Sequence, residues 1–333
     1  MIGISMNISI HNIWHCWNLF RKGKSKTKEL RSFEYALEEN LFQLHKDLNR
    51  GVYTHGQYCQ FTVFDNKKRD IVVAPIRDRV VHRLIYKYLV PIFDKTFIYD
   101  VWSCRKGKGL QGAIERAQFF AKQYAHGFVW RTDIKKFFDS VNQEILCKCI
   151  ERRVSHLPTL HIIREIITSY KIIDLKDEKK MFPTFSTGIP IGNLTSQIFS
   201  NIYFNEFDRF ISHSLKPKAY LRYGDDFLIF ETDRATLEKI KRQAVSFLYE
   251  KLHLSINPKN DIIIRPKQGI HFIGVDIFPF GRRLKKRNWK KVIDNLKEKN
   301  FSSYLGLVKK HSSRKKIRET NWRIYGVMEE NII

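Results

Sequence analysis

Tyr223-Gly224-Asp225-Asp226 stands between two apolar runs, Ala219 to Leu221 before it and Phe227 to Phe230 after it. That pattern predicts a β-hairpin with two carboxylates at its turn. Glycine permits the tight turn, and adjacent acids placed there can face a common metal-binding point without being buried in the sheet. Four such residues also read as an ordinary Gly-Asp turn, so the choice rests on what accompanies them. Asp133 ends the apolar strand Phe128-Val129-Trp130-Arg131-Thr132, where an acid leaves the sheet edge and enters a cleft in which it can meet Asp225. Phosphoryl transfer through two Mg²⁺ ions roughly 4 Å apart needs carboxylates placed in this way.

The 333 residues are 43% hydrophobic and 14% aromatic, enough for a large core in one to three packed units. Lys and Arg number 60 against 34 Asp and Glu, a net charge of +26, which points to a polyanionic partner held through phosphates. The cysteines at 16, 59, 104, 147 and 149 form no C-x-x-C pair, so neither a zinc ribbon nor a disulfide framework is indicated. His11, His15 and Cys16 lie close together but have no second ligand cluster, and they read as packing or RNA-surface residues. No apolar run reaches the ~18 residues that span a bilayer, and the N-terminus lacks a signal pattern. A soluble, cytoplasmic protein without a membrane partner is expected.

Along the chain, residues 1–50 read as an N-terminal helical extension, with a basic lead-in over 21–28 and one helix from Leu30 carrying Phe33, Ala36, Leu37, Leu41 and Leu44. Phe61 to Phe64 and Ile71 to Ile76 predict a hairpin with a basic tip. A helix over Arg79 to Leu89 follows, and Pro91 is expected to interrupt it. From Phe128 to Phe280 strands alternate with helices, which predicts an α+β sheet covered by helices on one face. Residues 281–333 hold 16 Lys or Arg against 5 Asp or Glu and read as a small basic helical module.

Asp133 followed by Phe137-Phe138, then Gly188-Ile189-Pro190-Ile191-Gly192, Tyr-x-Asp-Asp and Phe272-Ile273-Gly274 occur in this order and spacing. The set resembles the palm motifs of reverse transcriptases, over about Asn40 to Asp276. The resemblance implies a right-hand polymerase: fingers over 51–127, a palm with a ferredoxin-like sheet over 128–280 carrying a fingers insertion at about 155–190, and a short helical thumb over 281–333. It implies that Asp133 and Asp225 ligate two Mg²⁺ ions, or Mn²⁺, with Asp226 supporting one of them. Phe138 matches the aromatic gate that crowds a ribose 2′-hydroxyl, although a Phe beside Phe137 also reads as core. Lys68, Arg69 and Arg77 resemble the clamp on the incoming triphosphate, and Lys259 matches a lysine near the leaving group. Phe272, Ile273 and Gly274 match the primer grip, and the basic segment from Arg282 would hold an RNA template and an RNA or DNA primer.

Ile191 stands where most reverse transcriptases carry Gln, and Gln197 where most carry Pro. This departure resembles the enzymes of diversity-generating retroelements, whose copying is error-prone at adenines and which work with a small basic helical accessory protein. The length agrees with that expectation, since group II intron proteins add maturase and endonuclease modules. Gly224, where Met is usual in that group, departs from it. A retron or phage-defence enzyme with a structured noncoding RNA is the alternative within the fold, and a catalytically idle RNA-binding scaffold is the alternative outside it.

Overall fold

The computed structural model describes residue 3 and residues 5–64, 68–170 and 186–330. Helix α1 (Ile10–Arg21) is capped by the Ser9 hydroxyl and α2 (Lys28–Tyr35) by that of Thr27. The single helix expected from Leu30 is instead two, because Ala36 (φ −115°, ψ 43°) separates α2 from α3 (Leu37–Arg50). Asn40 Nδ2 donates to the Phe33 carbonyl at 3.0 Å and so takes the acceptor that a continuous helix would give to the backbone of residue 37. Strands β1 (Cys59–Phe64) and β2 (Lys68–Val73) pair antiparallel from Cys59 opposite Val73 to Phe64 opposite Lys68. The hairpin tip with Lys67 lies outside the described residues.

Helix α4 (Ile76–Phe93) runs through Pro91 rather than stopping before it. Only the last turn loses a backbone bond there, and buried Leu89, Ile92 and Phe93 hold that turn in the core. After α5 (Leu110–Gln123), β3 (Phe128–Thr132), α6 (Phe137–Ser140), α7 (Gln143–Glu151) and α8 (Leu157–Thr168) comes α9 (Leu194–Arg209). Residues 171–185, part of the expected insertion, lie outside the described residues. The remainder is β4 (Ala219–Tyr223), β5 (Asp226–Glu231), α10 (Arg234–Leu252), β6 (Ile262–Ile264), β7 (Ile270–Phe272), β8 (Val275–Phe278), β9 (Gly281–Leu284), α11 (Lys286–Asp294), α12 (Phe301–His311) and α13 (Arg314–Glu330). The basic C-terminal segment therefore opens with a strand that pairs with β8, and its helices begin at Lys286.

The chain divides into two compact units, one of Met1–Ile98, Ile134–Phe210 and Ala244–Ser255, the other of Tyr99–Asp133, Ile211–Gln243 and Ile256–Ile333. In the second, an antiparallel sheet has the order β4-β5-β3-β6. Strand alternation sends Val129, Leu221, Leu228 and Phe230 into a core with Ala113, Ile114, Ala117 and Phe120 of α5 and with Ile270, Phe272 and Ile277 of the β7-β8-β9 sheet. Trp130 points to the opposite face, fully buried, its Nε1 donating to Asp261 Oδ1 at 2.7 Å and its ring edge-on to Phe227.

In the first unit, α9 is buried on most of its circumference, with polar Thr195, Ser196, Asn201 and Asp208 among the enclosed residues, and is fully enclosed at Tyr203, Phe204 and Phe207. The Tyr203 hydroxyl donates to the Leu252 carbonyl at 2.6 Å and accepts from the Asn142 N–H at 3.2 Å. In the first turn of α4, the Asp78 carboxylate accepts from the Tyr53 hydroxyl (2.8 Å) and the Gly56 N–H (3.0 Å). The His82 and His55 Nε2 atoms lie 3.2 Å apart. Burial, reinforced by His55 and Arg79, pushes the His82 imidazole down to about 3, so it is neutral in the folded chain. A depressed folded-state value means that the unfolded chain binds the proton more tightly. His82 therefore contributes stability in full above its unfolded value near 6.5, and that contribution falls as pH drops from there toward 3. Denaturant titration should show the protein losing about 2 kcal/mol more than His82→Gln between pH 7 and pH 5; equal losses would contradict this.

Candidate active site

The β4-β5 hairpin closes with Tyr223 opposite Asp226, leaving Gly224 and Asp225 as a two-residue turn. Positive φ falls on Gly224 alone (+65°), the pattern of a type II′ turn, whose twist suits antiparallel strands. Gly224 also serves as a fastening point. Its N–H donates to Ser103 Oγ at 2.9 Å, and its carbonyl accepts from Arg222 Nη1 at 2.9 Å. Arg222 is fully buried within β4, so the turn is tied to the sheet below it.

Strands β3 and β5 are registered with Thr132 opposite Phe227, and one step further along both strands sets Asp133 beside Asp226. All three acids thus stand at one end of one sheet. Asp133 is held from several directions. Its carbonyl accepts from the Asn257 N–H at 2.8 Å, and its Oδ2 accepts from Asn260 Nδ2 at 2.8 Å. Arg131 Nη2 donates to Asn260 Oδ1 and Nη1 to the His271 carbonyl, both at 2.9 Å. Burial lowers the Arg131 guanidinium's affinity for its proton, and the charges of Asp226 and Asp133 oppose that shift. Arg131, Asn260 and His271 are site residues that the motif reading missed. An Asn or Arg outside a motif carries no mark in sequence, since its role depends on which strand lies beside it.

Asp133 Oδ1 is buried and has no hydrogen-bond partner among the described residues. A buried carboxylate oxygen left in that state is costly unless a cation or donor meets it, so the site fits a divalent ion. No three His, Cys, Asp or Glu side chains among the described residues gather closely enough to enclose a metal by themselves. That agrees with the chemistry of Mg²⁺, which takes one or two carboxylates and completes its octahedron with water and substrate phosphates.

Lys259 is exposed in the turn that carries Asn260. Phe272 is buried in the core, and the two residues after it, Ile273 (φ 46°) and Gly274 (φ 83°), are both left-handed. A β-branched residue in that region is strained. Asn288 Nδ2 holds the Gly274 carbonyl at 2.9 Å and would stand 2.6 Å from a Cβ added at 274.

The remaining expected residues belong to the first unit. Phe137 is the core member of its pair, stacked on Phe204 at 4.7 Å, whereas Phe138 is half-buried and edge-on to Phe137. Lys136, in a left-handed conformation (φ 48°), starts the short helix that carries both. Ile191 is half-buried beside β2, its carbonyl accepting from the Val72 N–H at 3.3 Å. Gln197 is exposed in the first turn of α9. Lys68 and Arg69 belong to β2 by backbone. The Arg77 guanidinium is engaged within its own unit, by Asp47 Oδ2 (2.6 Å), the Thr54 carbonyl (3.1 Å) and the face of Tyr53.

A family model described as reverse transcriptase (RNA-dependent DNA polymerase) matches residues 56–277. The chain belongs to the reverse transcriptase family. The activity of this family is RNA-directed DNA synthesis. Protein YkfC of Escherichia coli K12 is 24% identical over 276 residues, covering 72% of this chain and 71% of that one. The group II intron-encoded protein LtrA of Lactococcus lactis subsp. cremoris is 21% identical over 276 residues, with 63% of this chain covered but only 44% of LtrA. A putative COX1/OXI3 intron 2 protein of Saccharomyces cerevisiae is 20% identical, and the match covers 34% of it. The solved telomerase of Candida albicans in complex with the TWJ fragment of telomeric RNA covers 90% of this chain and 60% of its own, with TM-score 0.52 and 12% identity. The fold is that of a right-hand polymerase.

Removing the Asn260 amide should leave Asp133 misoriented while the hairpin acids stay in place. Asn260→Leu is expected to lower kcat for primer extension about ten- to a hundredfold, with KM for the nucleotide changed far less. A kcat within twofold of the parent would show that Asn260 does not position Asp133.

Proposed function

We propose that this reverse transcriptase copies RNA into DNA by two-metal nucleotidyl transfer at Asp133, Asp225 and Asp226. The observation that carries the reading is the buried, unpartnered Asp133 Oδ1 at the same sheet end as the paired acids of the hairpin. When bound, Mg²⁺ supplies activation of the attacking 3′-hydroxyl and charge neutralisation at the leaving pyrophosphate. Asp133 and Asp225 serve as oxygen ligands with Asp226 in support. Asn260 and the Asn257 N–H fix the direction of the Asp133 carboxylate. In this reading Lys259 donates a proton to the leaving group, and Lys68 and Arg69 are the cations for the triphosphate. Arg77, engaged with Asp47 and Tyr53, contributes first to holding the start of α4. Phe272, Ile273 and Gly274 form the primer grip, with the basic helices α11 to α13 as the thumb and residues 51–127 as the fingers.

The half-buried Phe138 ring serves as the gate against ribonucleotides. Ile191 in place of a glutamine removes a hydrogen-bonding contact from the nucleotide pocket, which supports error-prone copying of the kind used in diversity-generating retroelements. Gly224 has a local explanation in the turn it closes. The net charge of +26 equally supports a structured noncoding RNA partner, as in retron or defence systems. Sequencing the RNA that purifies with the protein separates the two roles, a template repeat indicating diversification.

Asp225→Asn should abolish Mg²⁺-dependent primer extension on an RNA template, by at least about a thousandfold; extension at the parent rate would refute the assignment of these acids. In the same assay Phe138→Ala should admit ribonucleotides, and Ile191→Gln should reduce misincorporation opposite adenine. Unchanged sugar discrimination would remove the gate from Phe138, and an unchanged error spectrum would remove the basis for error-prone copying.

A further inference from the structure

In the first unit, the C-terminal ends of α4, α7 and α9 enclose a cavity of about 510 Å³ that none of the polymerase motifs uses. Three arginines line it: Arg152 and Arg153 after α7, and Arg209 at the end of α9. Arg152 is paired with Glu206 at 2.6 Å. Arg153 and Arg209 make no ion pair with a described residue, so the cavity carries two uncompensated positive charges. Arginines at the ends of helices ordinarily complement the helix dipoles, which accounts for their residue type but not for what lies between them.

Asn205 also lines the cavity and is 94% buried, with its Oδ1 lacking a partner among the described residues. The orientation of its amide is fixed by its neighbour. The Thr96 hydroxyl donates to the Phe93 carbonyl at 2.8 Å, so the Thr96 oxygen can only accept from Asn205, whose Nδ2 lies 3.3 Å away. The amide group is thereby turned so that the unsatisfied atom is an acceptor, and a buried acceptor in that state favours a ligand that brings a donor. The cavity thus combines two free guanidinium groups, suited to a phosphate, with one oriented acceptor, suited to a hydroxyl.

We propose that this cavity binds the sugar–phosphate backbone of RNA, a phosphate lying between Arg153 and Arg209 and a ribose 2′-hydroxyl donating to Asn205 Oδ1. DNA presents the same phosphate but lacks that hydroxyl. The site therefore selects RNA over DNA, and does so with residues that take no part in the polymerase chemistry.

The test measures binding of the full-length protein to fluorescein-labelled 12-nucleotide oligouridylate, and to the same oligomer in deoxyribose, without divalent ions across a salt series. Arg153→Ala/Arg209→Ala should make the slope of log affinity against log salt shallower by about 0.7, the one single-strand phosphate contact being lost. Both side chains reach the surface, so their truncation does not threaten the core. Asn205→Ala should weaken oligouridylate several-fold while leaving the deoxy oligomer within twofold. Primer extension at saturating template-primer should be unchanged in the arginine variant, which separates this site from the catalytic acids. A parental salt slope in the double arginine variant would overturn the site. Equal weakening of both oligomers by Asn205→Ala would overturn the ribose contact. Competition by uridine monophosphate as effective as that by unlabelled oligouridylate would identify a free nucleotide and overturn the assignment to an RNA strand.

Discussion

Carboxylates of like sign repel, so a sheet that collects three of them at one end must hold them there by something stronger than their own preference. Backbone register supplies that hold. Pairing of β3 with β5 and of β5 with β4 places Asp133, Asp225 and Asp226 together as a consequence of main-chain hydrogen bonds made lower in the sheet. The Arg131 guanidinium supplies the compensating charge nearby; burial lowers its affinity for its proton, and the charges of Asp226 and Asp133 oppose that shift. Asn260 joins the two by donating to the acid and accepting from the arginine. The same guanidinium reaches the His271 carbonyl on β7, so the hairpin with the strained Ile273 is tied to the strand that carries Asp133.

Two strained backbone positions in this molecule lie beside the motifs. Among the described residues, non-glycine positive φ angles occur at Cys104, Lys136, Lys216, His253 and Ile273. Lys136 starts the helix of Phe138, and Ile273 sits in the hairpin next to Phe272. Each such residue costs of order 1 kcal/mol or more, and each survives because rigid neighbours leave no alternative: Phe137 locked against Phe204 in one case, Asn288 bound to Gly274 in the other. The fixed backbone decides which of two adjacent phenylalanines packs and which stays half-exposed.

Much of this was legible in the order of residues. The strand before Asp133 and the hairpin around Gly224 both appear where the apolar runs place them, because strand period and turn chemistry are set by local geometry. Two local readings failed for local reasons of a different kind. Asn40 captures the Phe33 carbonyl and splits a helix, and burial of Ile92 and Phe93 carries α4 through Pro91. In both cases a side-chain contact or packing outweighs intrinsic propensity.

The sequence by itself determined the family, the three acids, the glycine turn and the positive charge, since motif spacing and composition are properties of the chain in one dimension. Tertiary structure alone decided that Asn260 is bonded to both Asp133 and Arg131, that Arg77 is committed to Asp47 and Tyr53, and that Asp133 Oδ1 and Asn205 Oδ1 are left without partners among the described residues. Partners in those contacts lie as far apart as 129 residues. Hydrogen bonds act over about 3 Å of space irrespective of sequence separation, so only the folded chain shows which polar groups are satisfied and which await a ligand.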